Sequence, residues 1–170
     1  PEVPEREPVA VLPTLHGRAP ASPRWTGDGR SIVYTAPGPD AAGYLRLDLF
    51  RWTPGDGAPE RITRGADLRS ADPARSGAAE DGGSWAVAVR HRDGLSQLVR
   101  VDLGTGEVHP LTKARADTVW ASPRLSPDGR RLVAVRNRGD RWRLALFAVE
   151  DGGLRELGEL PREGDENGEE

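Results

Sequence analysis

The chain is 170 residues long, with 21 glycines, 15 prolines, no cysteine, no methionine and a formal charge of −3. No disulfide or thiolate metal site is possible, and no apolar run approaches the roughly 18 residues of a membrane-spanning helix. So much Gly and Pro excludes a mainly helical protein and suits many short strands joined by turns.

With Pro1 at its start and no Met, the sequence reads as a piece of a longer product. Residues 1–19 are expected to form a Pro-rich linker or, through PVAVLPT at 8–14, the outer strand of a preceding unit. VAVL is too short for the apolar core of a signal peptide.

A repeat begins next. ASPRWTGDGRSIVYT, from Ala21, is matched by ASPRLSPDGRRLVAV, from Ala121, with eight of fifteen positions identical. Asp72-Pro73 stands midway between Ser22-Pro23 and Ser122-Pro123 and marks a middle unit, in which the Ser and the compact turn are expected to be lost. Residues 20–65 run through a TGDG turn, then SIVYT, YLRLDLFRWT and PERIT. Residues 66–114 run through AAEDGGS, SWAVAV, LSQLVRVDL and EVHPLT; residues 115–160 through SPDG, RLVAV, WRLALFAVE and LRELG. Leu49, Leu98 and Leu146 correspond, as do Phe50, Val99 and Phe147, and Trp52, Val101 and Val149. REGDENGEE, residues 162–170, carries five acids and one arginine and closes a segment, 161–170, expected to be a disordered acidic tail.

The turn chemistry supports hairpins. Gly29 and Gly129 suit the left-handed position of a tight turn, and Asp28 and Asp128 suit hydrogen bonds to local backbone. Ser22, Pro23, Ser122 and Pro123 are expected to be strand-entry residues. IVY, WAVAV and LVAV are apolar at successive positions, which requires burial on both sheet faces. Four short strands per unit of this length, with both faces covered by neighbouring units, describe a propeller blade.

SPRLSPDGRRLVAVRNRGDRWRLALFAVEDGGLREL, from Ser122, resembles the WD40-like repeat of TolB-like propellers, and VRVDLGTGEVHPLT at 99–112 resembles its second half. Gly27 departs from the pattern by replacing the turn Pro in the first unit. The resemblance implies an all-β chain, a partial β-propeller of about three four-stranded antiparallel blades, within a propeller of roughly six to eight. It also implies a protein or peptide ligand, no cofactor, and a place in the periplasm or at the cell surface. Related blades form the gating domain of prolyl oligopeptidase-type serine peptidases, which is the alternative reading; the catalytic domain would then lie outside this chain.

Three blades leave two faces uncovered. If each exposes ~500 Å² of apolar surface, the cost is about 12 kcal/mol per face at ~25 cal/mol/Å². Further blades are therefore expected, from the same longer chain or from a second copy.

No catalytic residue is signalled. There is no Gly-x-Ser-x-Gly and no Gly-x-x-x-x-Gly-Lys. His16, His91 and His109 lack zinc-ligand spacing, DENG in the tail lacks the rest of a calcium loop, and RGD at 138–140 fits an ordinary turn. Residues 115–143 hold eight arginines and three aspartates, expected to be a solvated rim rather than a nucleic-acid surface, with Trp120 and Trp142 buried. Arg24 and Arg124, equivalent in the repeat, are the candidates for ligand contact at the mouth of a channel.

Overall fold

A computed structural model describes residues 20–75, 84–151 and 153–160. His16, the linker or strand expected within 1–19, and the acidic tail lie outside the described residues. Among those described, there are twelve strands and no helix, in three antiparallel meanders. The first sheet is β1 (Ala21–Trp25), β2 (Ile32–Pro39), β3 (Leu45–Trp52) and β4 (Glu60–Arg61). The second is β5 (Leu68–Pro73), β6 (Trp85–Arg92), β7 (Leu95–Asp102) and β8 (Val108–Pro110). The third is β9 (Thr118–Leu125), β10 (Arg131–Arg138), β11 (Arg141–Glu150) and β12 (Gly153–Leu160). Sheet two packs between the others, and the leading strands β1, β5 and β9 adjoin one another along one side of the stack.

The successive apolar residues have the cause expected of them. Trp85, Ala86, Val87, Ala88 and Val89 are all buried, because alternate side chains enter different seams. Ala86 and Ala88, with Val99 and Val101, meet Val33 and Leu49 of the first sheet. Trp85, Val87, Val89 and Leu98 meet Trp120, Leu132, Ala134, Ala145 and Phe147 of the third. Small residues on one sheet face large ones on the next, which lets the layers interdigitate.

The pairing moves the repeat register. Arg24 pairs with Val33, Asp72 with Val87 and Arg124 with Val133, each beside a bulge. The equivalent serines are Ser22, Ser70 and Ser122, at φ 52°, 52° and 46°. Unit two has therefore kept its serine, at Ser70, and the midpoint Asp72-Pro73 lies two residues out of step. Asp72 takes the place of Arg24 and Arg124, and Pro73 the place of Trp25 and Leu125. The serines are not strand-entry residues but the left-handed residues of bulges inside β1, β5 and β9. Equal spacing misleads because the connections differ in length from unit to unit.

The hairpins obey local chemistry. Gly139-Asp140, at φ 58° and 63°, and Asp93-Gly94, at φ 52° and 76°, are two-residue turns with both residues left-handed, the geometry that matches strand twist. The RGD motif is therefore one strand-end residue, Arg138, followed by the two residues of the turn. In the first sheet, fully buried Asp48 holds the exit of β4. It accepts hydrogen bonds from Thr63 Oγ1 at 2.8 Å, Ala66 N at 2.9 Å, Gly65 N at 3.0 Å and Arg61 Nη2 at 2.6 Å.

The two outer faces of the stack differ. Tyr34, Ala36, Phe50 and Trp52, turned away from sheet two, are nonetheless buried, so the expected exposure on that side is absent. On the far side of sheet three Val133 is only partly buried, although its equivalents Val33 and Val87 are fully so, and strand pairing makes exposed Leu144, not Leu146, the counterpart of the fully buried Leu49 and Leu98. Leu144 is 41% exposed and Trp142 58%, so the expected burial of Trp142 fails; its place on the strand needs a neighbour that β9–β12 does not have on that side.

Candidate functional site

Arg24, Asp72 and Arg124 occupy the same position of the three leading strands, and the stack brings them together. Arg24 Nε lies 3.5 Å from Asp72 Oδ1. Asp72 Oδ2 accepts a hydrogen bond from Leu125 N at 2.8 Å. Both guanidinium groups fold back on the preceding carbonyl, Arg24 Nη1 to Pro23 O at 2.9 Å and Arg124 Nη1 to Pro123 O at 2.6 Å.

The charges do not cancel. Among the described residues Arg124 makes no ion pair, while Asp72 is engaged by Arg24 and by the Leu125 backbone. Burial pushes the Arg124 guanidinium down from its ordinary value, the Arg24 charge adds to this, and Asp72 opposes it. A half-buried cation whose nearest acid is already committed favours an incoming carboxylate or other anion. Asp72, the third member, is hidden in the sequence by the two-residue register error; a serine two places before each charged residue is the signal that finds it.

The other singled-out residues stabilise turns. Asp28 Oδ1 accepts from Thr26 Oγ1 at 2.6 Å and Arg30 N at 3.0 Å, and Asp128 Oδ1 accepts from Ser126 Oγ at 2.6 Å and Arg130 N at 3.1 Å. Gly29 and Gly129 donate to Thr26 O and Ser126 O, each at 2.9 Å, with φ 68° and 70°. These hydrogen bonds hold both aspartates below the usual carboxylate range. His91, at the end of β6, is pushed down by burial and by Arg69, with Asp67 opposing. His109 lies 3.5 Å from Glu107 on the exposed β8. Among the described residues no group of three or more acids and histidines could hold a metal ion.

The arginine-rich segment does not scatter as its sequence suggests. Arg136, with its side chain 14% exposed, pairs with Glu156 at 2.8 Å and with Glu159, and its guanidinium lies 5.5 Å from the Trp120 ring centre. Arg115 and Arg138 share Asp117, at 3.0 and 3.2 Å, and hold its carboxyl well below the usual range, with Thr118 assisting. These groups gather at one rim of the seam between sheets two and three, opposite the turns at 26–29 and 126–129.

No family profile and no curated protein matches the chain. Solved structures do. A TolB protein from Agrobacterium tumefaciens superposes with a TM-score of 0.59 at 23% identity, over 80% of this chain and 48% of that one. The β-propeller domain of the Trilobed protease from Pyrococcus furiosus gives 0.58 at 16% identity, over 84% of this chain and 43% of that one. A prolyl endopeptidase gives 0.57 at 14% identity, over 84% of this chain and 22% of that one. The chain thus spans less than half the length of each of these. Three stacked four-stranded meanders, leading strands inward, have the fold of a TolB-like β-propeller, of which this chain supplies three blades.

Proposed function

We propose that the chain is a non-catalytic recognition module that binds a protein or peptide on the axial side of its leading strands, with Arg24 and Arg124 contacting the ligand. The observation that carries this reading is Arg124, a half-buried cation held in place by its own strand and left without an ion-pair partner among the described residues. A rigid stack fixes such a group at little entropic cost on binding. No cofactor takes part. Placement in the periplasm or at the cell surface goes with the TolB-like fold; among the described residues no helix is long and apolar enough to cross a membrane.

The test is a peptide-array screen with the wild-type chain and an Arg24→Ala/Arg124→Ala variant. A subset of the carboxylate-bearing ligands is expected to be lost by the variant, and an unchanged binding profile would refute the axial site.

A second reading has its own support, in the likeness to the Trilobed protease domain and the prolyl endopeptidase. Here the blades gate a serine peptidase whose catalytic residues are encoded elsewhere. Coding sequence downstream that specifies Gly-x-Ser-x-Gly, then Asp and His, would establish it.

A further inference from the structure

Between the second and third sheets the rim opens into a cleft of about 300 Å³, within the range of ligand-sized sites. It lies where the chain departs from its own repeat. Thr63 and Thr112 are equivalent, since each accepts the backbone N–H of the matching leucine, Leu49 or Leu98. Leu68 and Trp120 are equivalent too, pairing with Arg90 and Arg136. The connection from threonine to strand is therefore three residues longer in the second seam, and the extra length carries Lys113 and Arg115. In the first seam the same region is filled by Asp48 with Gly65 and Ala66. In the second, Gln97 replaces Asp48 and turns to Thr112 O at 2.9 Å.

The lining combines two chemistries. Leu111, Phe147 and Leu154 give the cleft an apolar part, beside Trp120, whose buried indole N–H has no acceptor among the described residues. Lys113, Arg115 and Arg138 give it a cationic edge, which continues through Arg136 and Arg138 into a smaller cleft with Arg141 and Arg143. Five of these cations, Lys113, Arg115, Arg136, Arg138 and Arg141, meet three acids, Asp117, Glu156 and Glu159, leaving two positive charges over. Lys113 and Arg141 make no ion pair among the described residues.

We propose that this rim cleft is a docking site, separate from the axial cluster, for an acidic peptide segment bearing one apolar anchor. The anchor enters between Leu111, Phe147 and Leu154, and flanking carboxylates meet Lys113 and the arginines. A bare phosphate would leave the apolar part unused. A nucleic acid would need exposed aromatic faces to stack on, whereas Trp120 is buried and covered by Arg136. The proposal rests on the reading of the chain as a peptide-binding module and adds a second site to it.

The test measures anisotropy of a labelled pentapeptide with leucine between two pairs of glutamates. The probe is titrated against the wild-type chain, a Lys113→Glu variant and the Arg24→Ala/Arg124→Ala variant, each first shown to keep the wild-type melt. Lys113→Glu is expected to weaken binding about threefold or more, serine in place of the peptide leucine about tenfold, and the axial variant is expected to bind normally. Equal binding by Lys113→Glu, or equal binding of the serine peptide, overturns the rim site. So does absence of binding up to about 1 mM, or displacement by inorganic phosphate or single-stranded RNA at lower concentration than unlabelled peptide. Loss of binding in the axial variant alone overturns the rim site while supporting the axial one.

Discussion

The carboxylate of Asp72 accepts the backbone N–H of Leu125 at 2.8 Å, so a side chain on β5 fastens the second blade to a strand 53 residues further on. The same carboxylate lies 3.5 Å from the guanidinium of Arg24 on the first blade. One residue thus bridges all three blades.

Asp72→Ala removes the acceptor and leaves a partly buried N–H unpaired. The expected loss is about 1–3 kcal/mol, read as a lower urea midpoint. Asp72→Asn keeps an acceptor and gives up only the half-exposed Arg24 pairing, so its loss should be clearly smaller.

Asp48 is fully buried and satisfied on both oxygens, one of them by Arg61. Asp48→Ala strands the Arg61 charge and two backbone donors, and is expected to cost about 3–5 kcal/mol, seen in the thermal melt. Gly38→Ala should act through the same group, because its new Cβ would stand 2.6 Å from Arg61 Cζ. A smaller but measurable drop in melting temperature is expected there.

Tyr34 is buried, its hydroxyl has no partner among the described residues, and burial pushes its pKa up to about 12. The unfolded chain releases that proton near pH 10, whereas the folded chain holds it. Stability from this group is therefore complete below about pH 10 and falls as the pH rises toward 12. Tyr34→Phe should flatten the stability profile over that window. At neutral pH it should be neutral or stabilising by up to about 1 kcal/mol. Denaturant titrations at pH 8 and above check both.

The outer face of the third blade needs a neighbour: further blades of the same longer chain, or a second copy. The isolated 170-residue chain should sediment as more than a monomer. Leu144→Glu/Leu146→Glu should shift it to a monomer without unfolding it, since neither leucine faces the second blade. A wild-type monomer at all concentrations would count against this.

Much of the architecture is legible in the sequence, because successive apolar residues in SWAVAV and RLVAV can all be buried only in sheets covered on both sides. The register is not. Asp72-Pro73 looks like Ser22-Pro23 in spacing, and strand pairing shows instead that Ser70, with its left-handed backbone, is the true counterpart. The rim cluster is legible as charge but not as a place: Lys113, Arg136 and Glu156 come to line one cleft only after β8, β10 and β12 have packed. The exposure of Trp142 is likewise out of reach, because a strand pattern records which side of a sheet a residue faces, not whether anything lies beyond.

The closed side of the first blade limits how copies can join. Indefinite head-to-tail filaments require a donor surface and a complementary acceptor on every subunit. Here Tyr34, Phe50 and Trp52 are already buried, so that face offers no acceptor. A pair joined through Val133 and Leu146 of both copies would cover the adhesive surface of each and leave neither one to recruit a third.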